Sequence, residues 1–508
     1  MSEAEAHSGF GHAFRSHFLF SDDYLPLNHG SFGAFPRFVQ EAQRSYQHAT
    51  ESQPDRFIRY DALNHISNSR LGIAKLLKTS SDECVFVQNA TVGLNTILRN
   101  LLPTFASQAT TLELTKREQS CVVYFDTIYG AIEKTLFSIR EIDPSIELRK
   151  VTNYTLPCSH EAIVTALVEV LDKASQDGVR VRACVFETIT SVPAARFPFQ
   201  AITTLCRERG IYSVIDGAHG VGQIALSLGD LSPDFFVSNC HKWLYTPRGC
   251  AVLYVPRRNQ HLIRTTVPTS WGFEALPFPP EHTDMSSNSR NKTTPDEQQL
   301  KPQEIGPSYF TGLFDYMGTV ENSAFFCVNA ALNFRQTVCG GDEAIWGYIQ
   351  YIAQAGADLI AERLGTEVMD VIEPEESTSP NTTPLANIRQ CAMANIRLPF
   401  AITGSENTPA TTSLSKTPTP QSIAPASTDS GFTAVPIRLD ELVSHTSWLQ
   451  STLIKEYRIG ITVYPYASRA WLRVSGQIYL ELSDFEKLAE VVKVVLERIR
   501  NGESGIQR

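Results

Sequence analysis

Lys242 and Asp216 are the two residues whose surroundings first suggest chemistry. Lys242 lies in Ser238-Asn239-Cys240-His241-Lys242-Trp243-Leu244, directly after the apolar run Phe235-Phe236-Val237. An amine at the mouth of a buried strand is partly desolvated and can form an imine with a carbonyl compound. A histidine-lysine pair alone is equally an ordinary surface feature. Asp216 adds the second group, because it closes the run Ile211-Tyr212-Ser213-Val214-Ile215, 26 residues upstream. A carboxylate at the end of one buried strand and a lysine at the end of its neighbour suit pyridoxal phosphate (PLP). There the acid keeps the pyridine nitrogen protonated and the lysine holds the aldehyde.

Strands and helices must alternate to bring these two together. Cys84-Val85-Phe86-Val87, Cys121 to Phe125, 181 to 188 and 211 to 216 read as buried strands. Helical patterns at about 160 to 175 and 198 to 209 separate the later ones, which is the rhythm of a mainly parallel sheet covered on both faces. Ligands of such sheets bind outside the carboxyl ends of the strands. Gln88-Asn89-Ala90-Thr91-Val92-Gly93 follows the first strand and opens a helix, so its free N–H groups form an anion cradle; Ala90 and Thr91 are assigned to a phosphate. The alternative is that Asn89 or Thr91 simply caps the helix. Thr190 and Ser191 follow the 181 to 188 strand, where a hydroxyl could reach the cofactor's phenolic oxygen, as could His219.

Two helices are expected between Pro36 and Lys78, one around 320 to 337, one over 436 to 457, and a long amphipathic one from Leu480 to Ile499. Asn387 to Leu398, Ile461 to Tyr466 and Trp471 to Ser475 read as strands. Residues 1 to 20 read as a loosely held arm. Polar tracts at 277 to 306, 373 to 381 and 404 to 431 cannot bury enough apolar surface to order themselves. The expected division is residues 1–70 as arm and helices, 71–335 as a large domain and 336–508 as a small C-terminal domain.

Composition narrows the class. The 508 residues are 42% hydrophobic and 19% charged, as in a globular enzyme. A net charge of -10 without a basic cluster argues against nucleic acid or an anionic membrane as partner. No apolar run approaches the ~20 residues a spanning helix needs. The acidic start lacks a signal-peptide pattern, which makes the cytoplasm the expected location. Ten singly spaced cysteines read as reduced thiols, and no metal site is expected.

Asp216-Gly217-Ala218-His219-Gly220, Asn239 to Leu244 and Pro247-Arg248-Gly249-Cys250-Ala251 resemble the cofactor signature of class V PLP enzymes. Leu27-Asn28-His29-Gly30-Ser31-Phe32-Gly33, Tyr124 to Ala131, Arg257 to Arg264 and Phe325 to Val328 resemble, more narrowly, the fungal hercynylcysteine sulfoxide lyases. The resemblance implies an α/β fold type I transferase fold, with a mainly parallel seven-stranded sheet and a smaller α+β C-terminal domain. It implies Tyr129 stacked on the cofactor ring or near the reacting atoms, and Asn239 and His241 as further phosphate donors. It also implies Arg473 on the substrate carboxylate, and the Asn28 and His29 segment reaching back over the site. Gly318-Thr319-Val320-Glu321 resembles the element that touches the neighbouring subunit's phosphate in class V homodimers, with Glu321 departing from the usual aspartate.

Lys242, freed by the incoming amino acid, would take its α-proton with Asp216 and Tyr129 as the other catalytic groups. Three chemistries then compete. A carbon-sulfur lyase would eliminate a sulfenate from hercynylcysteine sulfoxide, releasing pyruvate and ammonia. A desulfurase needs a nucleophilic cysteine shortly before the carboxylate-binding arginine, and Ala392 to Arg473 contains none. An epimerase or cysteine desulfhydrase would share every residue named. A binding protein on this fold would have little reason to keep both Lys242 and Asp216.

Overall fold

The computed structural model describes residues 9–107, 120–274, 309–371, 387–403 and 432–505. Seven short strands form one sheet: β1 (Cys84–Val87), β2 (Ser120–Phe125), β3 (Ile146–Val151), β4 (Arg180–Glu187), β5 (Tyr212–Asp216), β6 (Phe235–Asn239) and β7 (Ala251–Tyr254). Their order is β1-β7-β6-β5-β4-β2-β3, and only β7 runs against the rest. The near-continuous hydrophobic character of β4 to β6 follows from burial on both faces. Cys184, Phe186, Ile215 and Phe236 enter one apolar layer, while Ala183, Val185, Val214 and Val237 enter the other.

Helices α1 (His29–Phe32), α2 (Arg37–Ser52) and α3 (Ala62–Leu76) precede the sheet, α2 and α3 being the expected pair between Pro36 and Lys78. Between β-strands run α4 (Ala90–Ser107), α5 (Gly130–Ile142), α6 (His160–Gln176) and α7 (Phe199–Glu208). The start of α4 is fixed by Asn89, whose Oδ1 accepts from Val92 N–H at 2.9 Å. Ser159 caps α6 in the same way through Ala162 N–H. After β6 the chain makes a single turn, α8 (Cys240–Trp243), which carries Lys242.

The C-terminal part follows α9 (Val328–Thr337) and α10 (Asp342–Leu364). Its antiparallel sheet has the order β11 (Thr462–Tyr466), β12 (Arg469–Ser475), β8 (Met393–Arg397), beside a parallel pair β9 (Phe400–Thr403) and β10 (Val435–Arg438). Helices α10, α11 (Leu442–Lys455) and α12 (Leu482–Arg500) pack against it. The buried stripe Phe485, Leu488, Ala489, Val492, Val495, Leu496 and Ile499 has the period of a one-faced helix.

Three expectations change. Residues 436 to 457 are not one helix, because the alternation at Val435 to Arg438 pairs as β10 before α11 begins. The helix expected around 320 to 337 is broken at Cys327 into two pieces. Residues 9 to 20 are held rather than loose: Gly11 N–H bonds to Ile478 O, and Phe18 is buried against Tyr479 and Tyr245. The polar tracts at 277 to 306, 373 to 381 and 404 to 431 lie outside the described residues.

Candidate active site

Lys242 stands where the sheet leaves off. The β6 strand ends at Asn239, and the α8 turn lifts the lysine over the carboxyl ends of β4 and β5. The turn is anchored from below. His241 N–H and Nδ1 both bond to Cys250 O, at 3.2 and 2.9 Å, just before β7. Arg335, fully buried, donates to Trp243 O at 2.9 Å and Gly222 O at 3.0 Å while its Nε meets Asp342 at 2.6 Å. Desolvation, with Arg473 adding to it, pushes the Lys242 amine down to about 8, against the opposing pull of Asp216 and Glu187. A lysine so placed is a usable base near neutral pH.

Asp216 is buried at the end of β5, and its Oδ1 accepts from Ala218 N–H at 3.0 Å. Burial raises its pKa, while that N–H and Lys242 hold it down. Glu187, not singled out from the sequence, ends β4 directly beside it, in register across the sheet. Its carboxyl is buried and is raised well above the ordinary range by burial and then by Asp216. Its place as a second acid at a buried strand end was the available signal; reading the strand as running to 188 hid it. His219 is buried, with Nε2 3.3 Å from Lys242 Nζ. Thr190 is turned away, its hydroxyl donating to Pro193 O at 2.5 Å.

At the other end of the site, the N-terminus of α4 faces Asn239, whose Oδ1 takes the Ala90 N–H at 2.8 Å. That bond occupies the Ala90 donor assigned to phosphate. The Thr91 N–H and hydroxyl have no protein partner among the described residues. His241 donates through Nδ1, and burial lowers its pKa to about 4, so the neutral ring has no second N–H to give. It becomes a phosphate donor by taking up a proton, which a dianion alongside would favour. Tyr129 sits at the start of α5 with its ring 52% exposed. Thr319 lies on the surface, 3.1 Å from Tyr316 OH, and makes no described contact with the residues around Lys242 of its own chain.

Arg473 closes the site from β12. It is 2% exposed, and its Nη atoms donate to Ser191 O at 2.7 Å, Asn28 Oδ1 at 2.9 Å and Ser31 Oγ at 2.6 Å. Its Nε has no partner, and no described carboxylate pairs with it. Burial lowers its pKa to about 10, yet it stays charged at neutral pH. A buried, unneutralised guanidinium fits an anion brought by a ligand. The N-terminal segment reaches the site by the short parallel pairing of Leu25–Pro26 with Ile459–Gly460. Within it Asn28 orients Arg473. His29, expected to face substrate, lies behind the lysine turn instead: Nε2 donates to Lys242 O at 2.5 Å and Nδ1 accepts from Tyr479 OH at 3.0 Å, leaving no ring nitrogen for a ligand.

All ten cysteines fall within the described residues; nine are buried and Cys158 is partly so. Burial pushes the thiol of Cys158 up to about 11 and that of Cys391 likewise to about 11, so neither is an activated nucleophile. Among the described residues no group of His, Cys, Asp and Glu could hold a metal ion, and no helix is long and apolar enough to cross a membrane.

This fold and this site define a fold type I, pyridoxal 5'-phosphate-dependent enzyme, and the residues present fit the cofactor. Lys242 is an amine of lowered basicity, Asp216 a buried carboxyl fit for a ring nitrogen, and Thr91 a free donor at a helix N-terminus. Residues 158–274 match the family Aminotransferase class-V. The L-cysteine desulfhydrase-like protein lolT1 of Epichloe uncinata is 35% identical over 496 residues, 98% of each chain. Hercynylcysteine sulfoxide lyase of Schizosaccharomyces pombe is 25% identical over 487 residues, 95% of this chain and 97% of that one. Among solved structures, the complex of the cystine C-S lyase C-DES with its reaction product cysteine persulfide has a TM-score of 0.62 at 15% identity, covering 93% of this chain and 98% of that one. The chain belongs to the class V aminotransferase family.

Proposed function

We propose that the protein is a carbon-sulfur lyase that removes the α-proton of a cysteine derivative and expels its sulfur from the β-carbon. Arg473 grips the substrate carboxylate through its planar guanidinium, with Asn28 and Ser31 holding that plane. Lys242 takes the α-proton as a neutral amine. When bound, the cofactor supplies the electron sink for that step. Asp216 keeps a proton on the pyridine nitrogen. Tyr129, which is exposed, is assigned to protonate the departing sulfur through its phenol.

The observation that carries elimination over sulfur transfer is the state of the cysteines: nine are buried, and burial raises the thiol pKa of the tenth, Cys158. The preferred substrate is a cysteine S-conjugate sulfoxide of the hercynylcysteine type, giving a sulfenic acid that is reduced to ergothioneine, with pyruvate and ammonia as the other products. Support comes from the similarity over nearly the whole length to hercynylcysteine sulfoxide lyase. The higher identity to a desulfhydrase-like protein favours a second reading, in which free cysteine is the substrate. Pyruvate release from hercynylcysteine sulfoxide and from cysteine, measured in parallel with reductant present, decides between them. Strong preference for the sulfoxide is expected, and equal or faster release from cysteine overturns it.

The working form proposed is a cytoplasmic homodimer in which Thr319 reaches the partner's cofactor phosphate. The exposure of Thr319 near the exposed apolar side chains Tyr316 and Val320 supports it.

A further inference from the structure

The indole Nε1–H of Trp243 meets His219 Nδ1 at 3.3 Å, and the other ring nitrogen, Nε2, is 3.3 Å from Lys242 Nζ. An indole nitrogen can only donate, so Nδ1 is the acceptor and carries no hydrogen. His219 is buried and neutral, since burial and then the charges of Lys242 and Arg473 hold it well below its ordinary range. A neutral imidazole with a bare Nδ1 carries its one hydrogen on Nε2. The contact with Lys242 is then an N–H facing an amine, which attracts only if the amine offers a lone pair.

We propose that Trp243 is a positioning residue that fixes the tautomer of His219, so that Nε2–H is turned toward Lys242 and favours its neutral amine. The inference rests on Lys242 being the reactive amine. It differs from simple burial of Trp243, because it depends on one N–H rather than on the volume of the ring. The neighbouring peptides are held as well: Arg335 donates to Trp243 O at 2.9 Å, and Gln223 donates to His219 O at 2.8 Å. The charged and titratable groups that face the amine from the packed elements are Arg473 on β12, Asp216 at the end of β5, Glu187 at the end of β4 and His219 itself. Replacing the indole leaves all four in place.

Two measurements test this on the full-length chain. With histidine labelled by nitrogen-15, the ring nitrogens of His219 are identified by their loss in His219→Gln, in protein both stripped of and loaded with pyridoxal phosphate. Nε2 protonated and Nδ1 bare is expected; the opposite tautomer, or an imidazolium at neutral pH, overturns the proposal without any variant of Trp243. The second measurement is the pH profile for uptake of pyridoxal phosphate by the stripped protein, which reads the Lys242 amine and is expected to have its wild-type midpoint at about 8. Trp243→Phe keeps an aromatic ring and removes the N–H. It is expected to move the midpoint up by about half a pH unit or more, because the freed imidazole can turn a lone pair toward the ammonium. An unchanged midpoint, with or without a lower melting temperature, overturns the proposal and leaves Trp243 a packing residue. Failure of the underlying assignment is a separate result: it would show as covalent cofactor uptake by Lys242→Ala.

Discussion

Burial weakens the hold of Lys242, Arg473 and His29 on a proton. Because the Lys242 amine is held down to about 8, its basic form grows as pH rises through that value. The rate of the proton-abstraction step at saturating substrate is therefore expected to climb between about pH 7 and 9, checked by a profile of kcat with a deuterated α-carbon. Arg473→Lys keeps the charge but loses the planar fork. We expect a fall of roughly 100-fold in kcat/KM, expressed mainly in KM, with the absorbance of the loaded protein unchanged. His29 is buried neutral, lowered to about 3, and its unfolded value is near 6.5. Between those values the unfolded chain binds the extra proton, so the contribution of His29 is complete above about 6.5 and is lost as pH falls toward 3. Urea midpoints measured from pH 7 to 4 should decline more steeply in the wild type than in His29→Gln.

At the scale of elements, the lysine turn is the most constrained piece of backbone. Gly222, at φ +87, lies so close that a Cβ would sit 2.4 Å from the Trp243 carbonyl carbon and oxygen. Gly33 approaches the same turn from the N-terminal segment, where a Cβ would fall 1.8 Å from His241 O. Gly222→Ala is expected to destabilise the protein by more than about 2 kcal/mol and to weaken cofactor retention, read by thermal melting and by absorbance after dialysis. Arg335 clamps that same pair of peptides from α9. Removing its side chain strands the buried Trp243 carbonyl and leaves Gly222 O with only the Trp346 indole N–H at 3.1 Å, and costs of a similar order are expected for Arg335→Leu.

At the scale of the whole molecule, the site is a seam. Lys242, Asp216 and Glu187 come from the large sheet, Arg473 from the C-terminal sheet, and Asn28 and Ser31 from the N-terminal segment. Asn395 ties the seam shut by bonding Ala194 N–H and Ala194 O, at 2.9 and 2.7 Å, while Tyr464 OH donates to it at 2.8 Å. If Thr319 serves the partner's site, the defects of Lys242→Ala and Thr319→Ala should complement. Each mixed dimer then holds one intact site, so co-refolded equal amounts are expected to recover about a quarter of wild-type activity, where each variant alone shows little. No recovery in mixed dimers purified by two different tags would place Thr319 outside the shared site.

The strand end at Asp216, the buried run before Lys242, a helix opening within Gln88 to Gly93 and the long stripe of α12 were legible in the sequence, because each depends on near neighbours along the chain. So was the desolvated place of Lys242, since the burial of the preceding run is a local fact. What the sequence by itself determined was therefore the alternating architecture, the pairing of amine and acid, and the absence of a cysteine before Arg473. Only the tertiary structure decided that Glu187 stands beside Asp216, that His29 braces the turn from behind, and that Trp243 bonds to His219. Those relations join residues that pairing and packing bring together from distant points of the chain. Spacing along a sequence sets which face of an element a side chain occupies, whereas which partner it meets, and in which protonation state, is set by the elements that pack on that face.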